Sequence, residues 1–222
     1  MQSSILKDKI AACRLCPRLV RYRESVKPAK RFSDWKYWHR PVPGFGDINA
    51  KILIVGLAPS AHGGNRTGRV FTGDPSGNFL FDAIYKAGLS NQSTSASRDD
   101  GLMLKNVYVT AIVKCAPPEN KPERIEAHRC TSTFFVNELL ALKNVKVIIP
   151  LGGFALKWLG FALKEIGIDT SGVEDFGHGN VHKAGPYTIL TSYHVSPMNT
   201  YTGKLTEKMF VDVLKKAKEL AQ

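Results

Sequence analysis

The sequence predicts an α/β fold in which a mostly parallel sheet of four strands is covered by helices on both faces. Three observations predict it. Short runs rich in Val and Ile recur at 51–56, 106–113, 145–149 and 187–193, helix-patterned segments separate them, and loops rich in Gly and polar residues follow them. A strand buried on both faces reads as a continuous apolar run. Strands alternating with helices build a parallel sheet with two covered faces.

Taken in order, a short helix ends over 7–12 and leads into Cys13 and Cys16. Residues 14–40 are basic and aromatic, and 41–47 (PVPGFGD) is turn chemistry. The first strand, 51–56, opens into a glycine-rich loop that reaches about residue 77. A helix over 78–87 follows, with Phe79, Leu80, Ala83, Ile84 and Ala87 on one face. A polar, Ser-rich connection (89–101) precedes the strand at 106–113, which runs into Cys115. Residues 117–122 form a Pro-rich loop, and a helix over 123–142 carries Cys130. The third strand is followed by Gly152 and Gly153, which open a helix over 154–163. After the fourth strand comes a loop beginning at His194, then an amphipathic helix over 205–220. With no internal repeat or second apolar pattern, 1–222 reads as one domain.

Lys and Arg outnumber Asp and Glu by 31 to 19, for a formal charge of +12, a field that concentrates polyanions. The excess is uneven. Between 14 and 40 stand Arg14, Arg18, Arg21, Arg23, Lys27, Lys30, Arg31, Lys36 and Arg40, against Glu24 and Asp34. Tyr22, Phe32, Trp35, Tyr37 and Trp38 interleave with them. Cations track phosphates and aromatic faces stack on bases, so nucleic acid is the expected partner. A membrane-surface helix is not expected, because Pro28, Pro41, Pro43 and Gly44 interrupt this stretch, and no apolar run approaches the roughly 18 residues of a bilayer span.

The four cysteines are Cys13, Cys16, Cys115 and Cys130. Four thiolates can close one tetrahedral zinc site or hold one cubane iron–sulfur cluster, and either would tie the N-terminus to mid-chain. Reduced buried thiols would also account for them one by one. Disulfides are not expected, since cysteines two residues apart strain to bridge and no secretory signal is legible; the expected compartment is the cytoplasm.

Ligands of parallel sheets sit at the carboxyl ends of strands, which singles out the loops after Gly56, Val113, Pro150 and Tyr193. The first reads GLAPSAHGGNRTGRVFTGD (56–74) and matches neither a P-loop nor a dinucleotide fingerprint. Its glycines permit close approach of backbone to a ligand. His62, Asn65, Arg66 and Arg69 offer polar contacts, and Phe71 offers a ring for stacking. The last loop reads HVSPMN (194–199) and begins with a histidine at a strand end.

The C-x2-C pair, the 56–74 loop, the KCAPP segment at 114–118, Cys130 and the HVSPMN loop together resemble the iron–sulfur uracil-DNA glycosylases, most closely the family 5 or B type. The resemblance covers nearly the whole chain. It implies a three-layer α/β/α sandwich and hydrolysis of the bond between a damaged base and deoxyribose in double-stranded DNA. It also implies a 4Fe-4S cluster on Cys13, Cys16, Cys115 and Cys130, zinc being the alternative, and a monomer with no membrane; a sliding-clamp contact stays open. Residue by residue, it makes Phe71 the ring that stacks on the flipped base, within a pocket of Gly56, Leu57, Ala58, His62, Asp74 and Ala111. His194 faces the negative charge developing on the base. Ser196, Pro197, Met198 and Asn199 enter the duplex, with Arg66 and Arg69 on DNA. Asn120 and Asn65 are the candidates for placing water, with Asp74 and His62 behind them.

Two departures carry expectations. The family's His-Pro-Ser-Pro is His194-Val-Ser-Pro here, which makes the rigidity of that loop a question for the structure. Leu57, Ala58 and Ala111 stand where related families place polar selectors. Apolar groups there should relax base choice toward hypoxanthine or hydroxymethyluracil, because unpaired polar groups are what reject poor matches. The competing class is a non-catalytic, metal-containing nucleic-acid-binding protein; a zinc-clipped hydrolase of a small nucleotide is a third.

Overall fold

The computed structural model describes residues 2–173 and 175–222. Its elements run α1 (Gln2–Ala11), α2 (Pro17–Ser25), β1 (Phe45–Gly46), β2 (Ile52–Gly56), α3 (Gly64–Thr67), α4 (Pro75–Lys86) and β3 (Val107–Ala111). They continue with α5 (Arg124–Cys130), α6 (Val136–Ala141), β4 (Val147–Pro150), α7 (Gly153–Glu165), β5 (Val181–Ala184), β6 (Tyr187–Leu190), α8 (Pro197–Thr200) and α9 (Glu207–Leu220).

The strands form one sheet in the order β1-β3-β2-β4-β6-β5. Its centre, β3-β2-β4-β6, is parallel and comprises the four strands that the apolar runs predict. The sheet has six strands rather than four because β1 and β5 add antiparallel edges. Neither carries an apolar run: β1 is two residues long, and β5 (VHKA) is largely exposed. A two-residue turn closes β5 onto β6, with Gly185 at φ +53°, a region favoured by glycine.

Successive strand residues point to opposite faces, and each face has its own core. Ile52, Ile54, Val107, Val109 and Ile149 pack with Leu80 and Phe81 of α4 and Phe210 and Leu214 of α9. Leu53, Val55 and Ile148 pack with Phe135, with Leu139 of α6 and with Leu156 and Leu159 of α7. Helices thus cover both faces, giving the three expected layers. Each fully buried side chain of this size contributes about 1.5–3 kcal/mol.

The register sets the site. Gly56 lies opposite Ala111, Val55 opposite Pro150, and Leu151 bridges to Ser192. The carboxyl ends of all four parallel strands therefore open onto one edge.

Local signals explain most helix ends. Asp74 caps α4 by accepting from Gly77 N at 2.9 Å, and Pro75 follows it. Glu123 and Glu126 form a capping box on α5. The helix expected over 123–142 is present as α5 and α6, but a π-helical turn, Thr131–Phe135, joins them immediately after Cys130. Helix α2 lies inside the basic stretch, where its charges mask the buried Leu19 and Val20. Among the described residues, no helix is long and apolar enough to cross a membrane.

Candidate active site

Strand β2 ends at Gly56 because nothing larger fits: a Cβ there would lie 2.5 Å from Phe71 Cζ. The Phe71 ring thus rests on the strand end. Its backbone has φ +51°, uncommon for a bulky residue. Gly77, which the sequence reading passes over, makes this possible. A Cβ there would collide with the Phe71 carbonyl, so only glycine lets α4 approach so closely. Asp74 braces the same corner: one carboxylate oxygen accepts from Gly77 N and the other from the Ser60 hydroxyl.

Opposite stands His194. Its ring centroid is 6.2 Å from that of Phe71, with the planes 37° apart. Burial pulls its pKa below the ordinary histidine value, and Asp74 only partly offsets this. The imidazole is therefore neutral near pH 7 and keeps one N–H to donate. Gly152, just past β4, backs it, the space for a Cβ ending 3.4 Å from His194 Cβ.

The loop that follows is held internally despite lacking the first proline. Val195 is fully buried in the core, and Asn199 Nδ2 donates to the His194 carbonyl at 2.7 Å. Thr200 and Thr202 hydroxyls donate to Ser196 O and Met198 O. Asn199 is thus a staple within the loop. Met198 and Tyr201 project from it, 78% and 79% exposed. Tyr201 is absent from the sequence reading, and its spacing of three from Met198 on a helical turn was the available signal.

The glycine loop corrects three expectations. Arg69 does not face outward: its guanidinium pairs with both Asp100 oxygens at 2.9 and 2.6 Å and reaches Ser95 at 2.7 Å. Burial pushes the Asp100 carboxyl up, but Arg69 and three backbone amides outweigh it and hold the pKa at about 2. Arg66 is buried too. It donates to His62 O at 2.7 Å and Gly73 O at 2.8 Å, and lies 3.8 and 4.1 Å from the Phe32 and Trp35 ring centroids. Asn65 is 1% exposed, with Nδ2 donating to Arg23 O at 3.1 Å, so its amide is turned inward. A charged or amide group was legible in sequence; its direction was not.

The other pocket residues fall near the strand ends. Gly56 O and Leu57 O accept from Ile112 N and Val113 N, each at 3.0 Å, which extends the β2–β3 pairing into the loop. Ala111 is buried, and Ala58 packs on the core below. His62 Nδ1 pairs with the Tyr37 hydroxyl at 2.9 Å. Beneath Ala111, Lys114 Nζ donates to Ala111 O and Thr110 Oγ1 and pairs with Glu138, whose other oxygen accepts from Gly44 N. Asn120 is exposed, and it and Glu119 hold φ of +57° and +53°. Its backbone N donates to Pro117 O at 3.2 Å, but its side-chain amide makes no hydrogen bond among the described residues.

The basic stretch divides. Arg14 pairs with Glu24, Arg18 with Glu123 and Glu126, and Arg23 is buried. Arg21, Lys27, Lys30, Arg31, Lys36 and Arg40 remain exposed. Tyr37 is buried, and Trp38 Nε1 donates to Pro41 O. Several of the aromatics therefore serve as packing behind the loop.

Cys13, Cys16, Cys115 and Cys130 line one cavity with Leu15, Leu19, Val20, Val113 and Phe134. Nitrogen donors address all four sulfurs: Arg23 Nη1 to Cys115 (3.0 Å), Lys114 N to Cys130 (3.3 Å), Leu15 N to Cys13 (3.5 Å) and Arg129 Nη1 to Cys16 (3.9 Å). Burial pushes the Cys115 thiol up to about 11 and that of Cys130 to about 12. Among the described residues, no three Cys, His, Asp or Glu side chains gather tightly enough to hold a single metal ion.

Phe71 and His194 thus face each other at the carboxyl edge of a parallel sheet, where α/β folds place their ligands. The family model described as the uracil DNA glycosylase superfamily matches residues 43–218, and the chain belongs to that superfamily. A Type-5 uracil-DNA glycosylase of Thermus thermophilus is 51% identical over 100% of this chain and 99% of its own length. One from Pyrobaculum aerophilum is 46% identical over 95% and 89%. A Type-4 uracil-DNA glycosylase of Sulfurisphaera tokodaii is 26% identical over 91% and 84%.

Proposed function

We propose that this protein is a DNA-repair glycosylase that releases uracil from double-stranded DNA by hydrolysing its N-glycosidic bond, leaving an abasic site. The carrying observation is Phe71, seated on Gly56 and facing His194 at 6.2 Å. A base inside a duplex hides its glycosidic bond, so the nucleotide is extruded into the pocket. Exposed Met198 fills the vacated space, as apolar wedges do. Phe71 stacks on the extruded base. As the bond lengthens, negative charge grows on the base, and the His194 N–H donates to it. One donor fixed in this way lowers the barrier by about 2.7–4 kcal/mol.

Water placement falls to Asn120. Asn65 is turned toward Arg23 and His62 Nδ1 is engaged by Tyr37, while each Asp74 oxygen accepts one bond and keeps a lone pair with which to support that water. An amide orients water without taking its proton, which suits a bond that breaks before water attacks. Apolar Leu57, Ala58 and Ala111 leave the base edge without polar selectors, so hypoxanthine and hydroxymethyluracil are substrates as well.

The cysteine cavity suits a 4Fe-4S cluster held by four thiolates, with zinc as the alternative. Apolar walls that disfavour bare thiolates, and donors aimed at each sulfur, are what a thiolate-held cluster requires. When bound, the cluster supplies a redox-capable centre and a clip between the N-terminus and mid-chain. The excision chemistry is carried by Phe71, His194 and Asn120.

The test is release of free base from duplexes carrying uracil, hypoxanthine or hydroxymethyluracil. Free base and an abasic site are expected from each; duplex binding without release would contradict the reading.

A further inference from the structure

Two buried side chains that the excision chemistry does not use join the cysteine cavity to the glycine loop. Arg23 is 2% exposed and donates Nη1 to Cys115 Sγ at 3.0 Å and Nη2 to Cys13 O at 3.1 Å. Its own carbonyl accepts from Asn65 Nδ2 at 3.1 Å. Asn65 in turn is fixed by its backbone, with N donating to Ser60 O at 3.0 Å and O accepting from His39 N at 3.1 Å. Ser60 then donates to Asp74, the cap of α4 behind Phe71. A continuous path of hydrogen bonds therefore leads from a cluster-ligating sulfur to the seat of the stacking ring.

We infer that Arg23 and Asn65 are positioning residues that make the shape of the glycine loop, and hence the placement of Phe71, depend on a filled cysteine site. The inference rests on the cluster reading above. A ligating sulfur is anionic, and a buried guanidinium is held far better by an anionic acceptor than by a neutral thiol. Arg23 Nε has no partner of its own, and the guanidinium is otherwise held by Cys13 O at 3.1 Å and by Glu24 at 3.6 Å, so the sulfur is the one contact whose charge depends on the filling of the site. Asn65 Oδ1 is likewise without a partner, which leaves the bond to Arg23 O as the only one its amide makes among the described residues. Weakening the sulfur end loosens the C-terminal half of α2, and the Asn65 bond is lost with it.

The loop carries its own reporter, since Arg66 and Arg69 are trypsin sites that are buried while the loop is closed. Purified holoprotein is compared with Asn65→Leu, Arg23→Met and Arg23→Lys for iron content, visible absorbance, tryptic cleavage and single-turnover uracil release. Asn65→Leu is expected to keep its iron while cleavage after Arg66 and Arg69 rises about tenfold. Its maximal rate should fall about tenfold, with the half-saturating DNA concentration moving less than about twofold. Arg23→Met loses iron and loop protection together, and Arg23→Lys, which retains one donor, loses less of both. A protected loop and an unchanged rate in iron-loaded Asn65→Leu overturn the inference alone. Wild-type protein purified without iron overturns the cluster reading, and the inference with it.

Should Asn65→Leu fail to fold, wild-type protein stripped by a chelator decides the matter. Loop cleavage while the far-ultraviolet circular dichroism and the unfolding midpoint stay near those of the holoprotein supports the relay. A loop that stays closed, or one that opens only in step with global unfolding, overturns it.

Discussion

The two loops that face each other across the pocket are built on opposite plans. In the glycine loop, Asn65, Arg66 and Arg69 all turn inward and are at most 3% exposed. In the histidine loop, Met198 and Tyr201 turn outward and are nearly four-fifths exposed. The first spends its polar groups on holding one aromatic ring in place. The second uses its backbone and hydroxyl bonds to present Met198 and Tyr201 to solvent. The cations of the first loop thus face the protein, while the second loop, with no cation before Lys204, turns its two large side chains to solvent.

The comparison breaks first at Arg69. If its role is internal, Arg69→Ala leaves the half-buried Asp100 with only its backbone donors and costs about 1.5–3 kcal/mol of folding stability. Urea unfolding of the variant measures this; a loss under about 1 kcal/mol with weakened DNA binding would mean that the side chain reaches phosphate after all. Next comes Phe71→Ala, expected to lower single-turnover uracil release about a hundredfold while iron content and unfolding midpoint stay near wild type. Met198→Ala and Tyr201→Ala should each cost about tenfold on duplex substrate and little on single-stranded substrate, since only the duplex demands that a gap be filled. Equal losses on both substrates would remove the outward loop from base extrusion.

The smallest effect is one of pH. Burial lowers the pKa of His194, and also of His178. In the pH range between a folded value and the unfolded value of about 6.5, the unfolded chain binds more protons, so stability falls as pH drops below about 6.5. His194→Gln should flatten that decline measurably in unfolding midpoints taken from pH 7 downward.

Legibility in the sequence followed the same divide between inside and outside. The four parallel strands were readable because burial on both faces favours short runs rich in apolar and β-branched residues, as in ILIVG. Edge strands β1 and β5 carry no such demand and were invisible. The cysteines were legible as a set, because residue type and spacing suffice for that. The directions of Arg66, Arg69 and Asn65 were not, since charge in a sequence reads alike whether it meets solvent or Asp100. Gly77 was unreadable for a related reason: it matters only for the carbonyl of Phe71 that it lets approach. Val195 shows the reverse case. Its departure from proline left the rigidity of the loop open, and its side chain anchors the loop in the core.

The central claim is that the neutral His194 opposite Phe71 stabilises charge on the departing base. Single-turnover uracil release by His194→Ala, with duplex affinity measured in parallel, tests it most directly. The expected result is a rate loss of about a hundredfold or more with affinity within about twofold of wild type. A rate loss below about tenfold would contradict it.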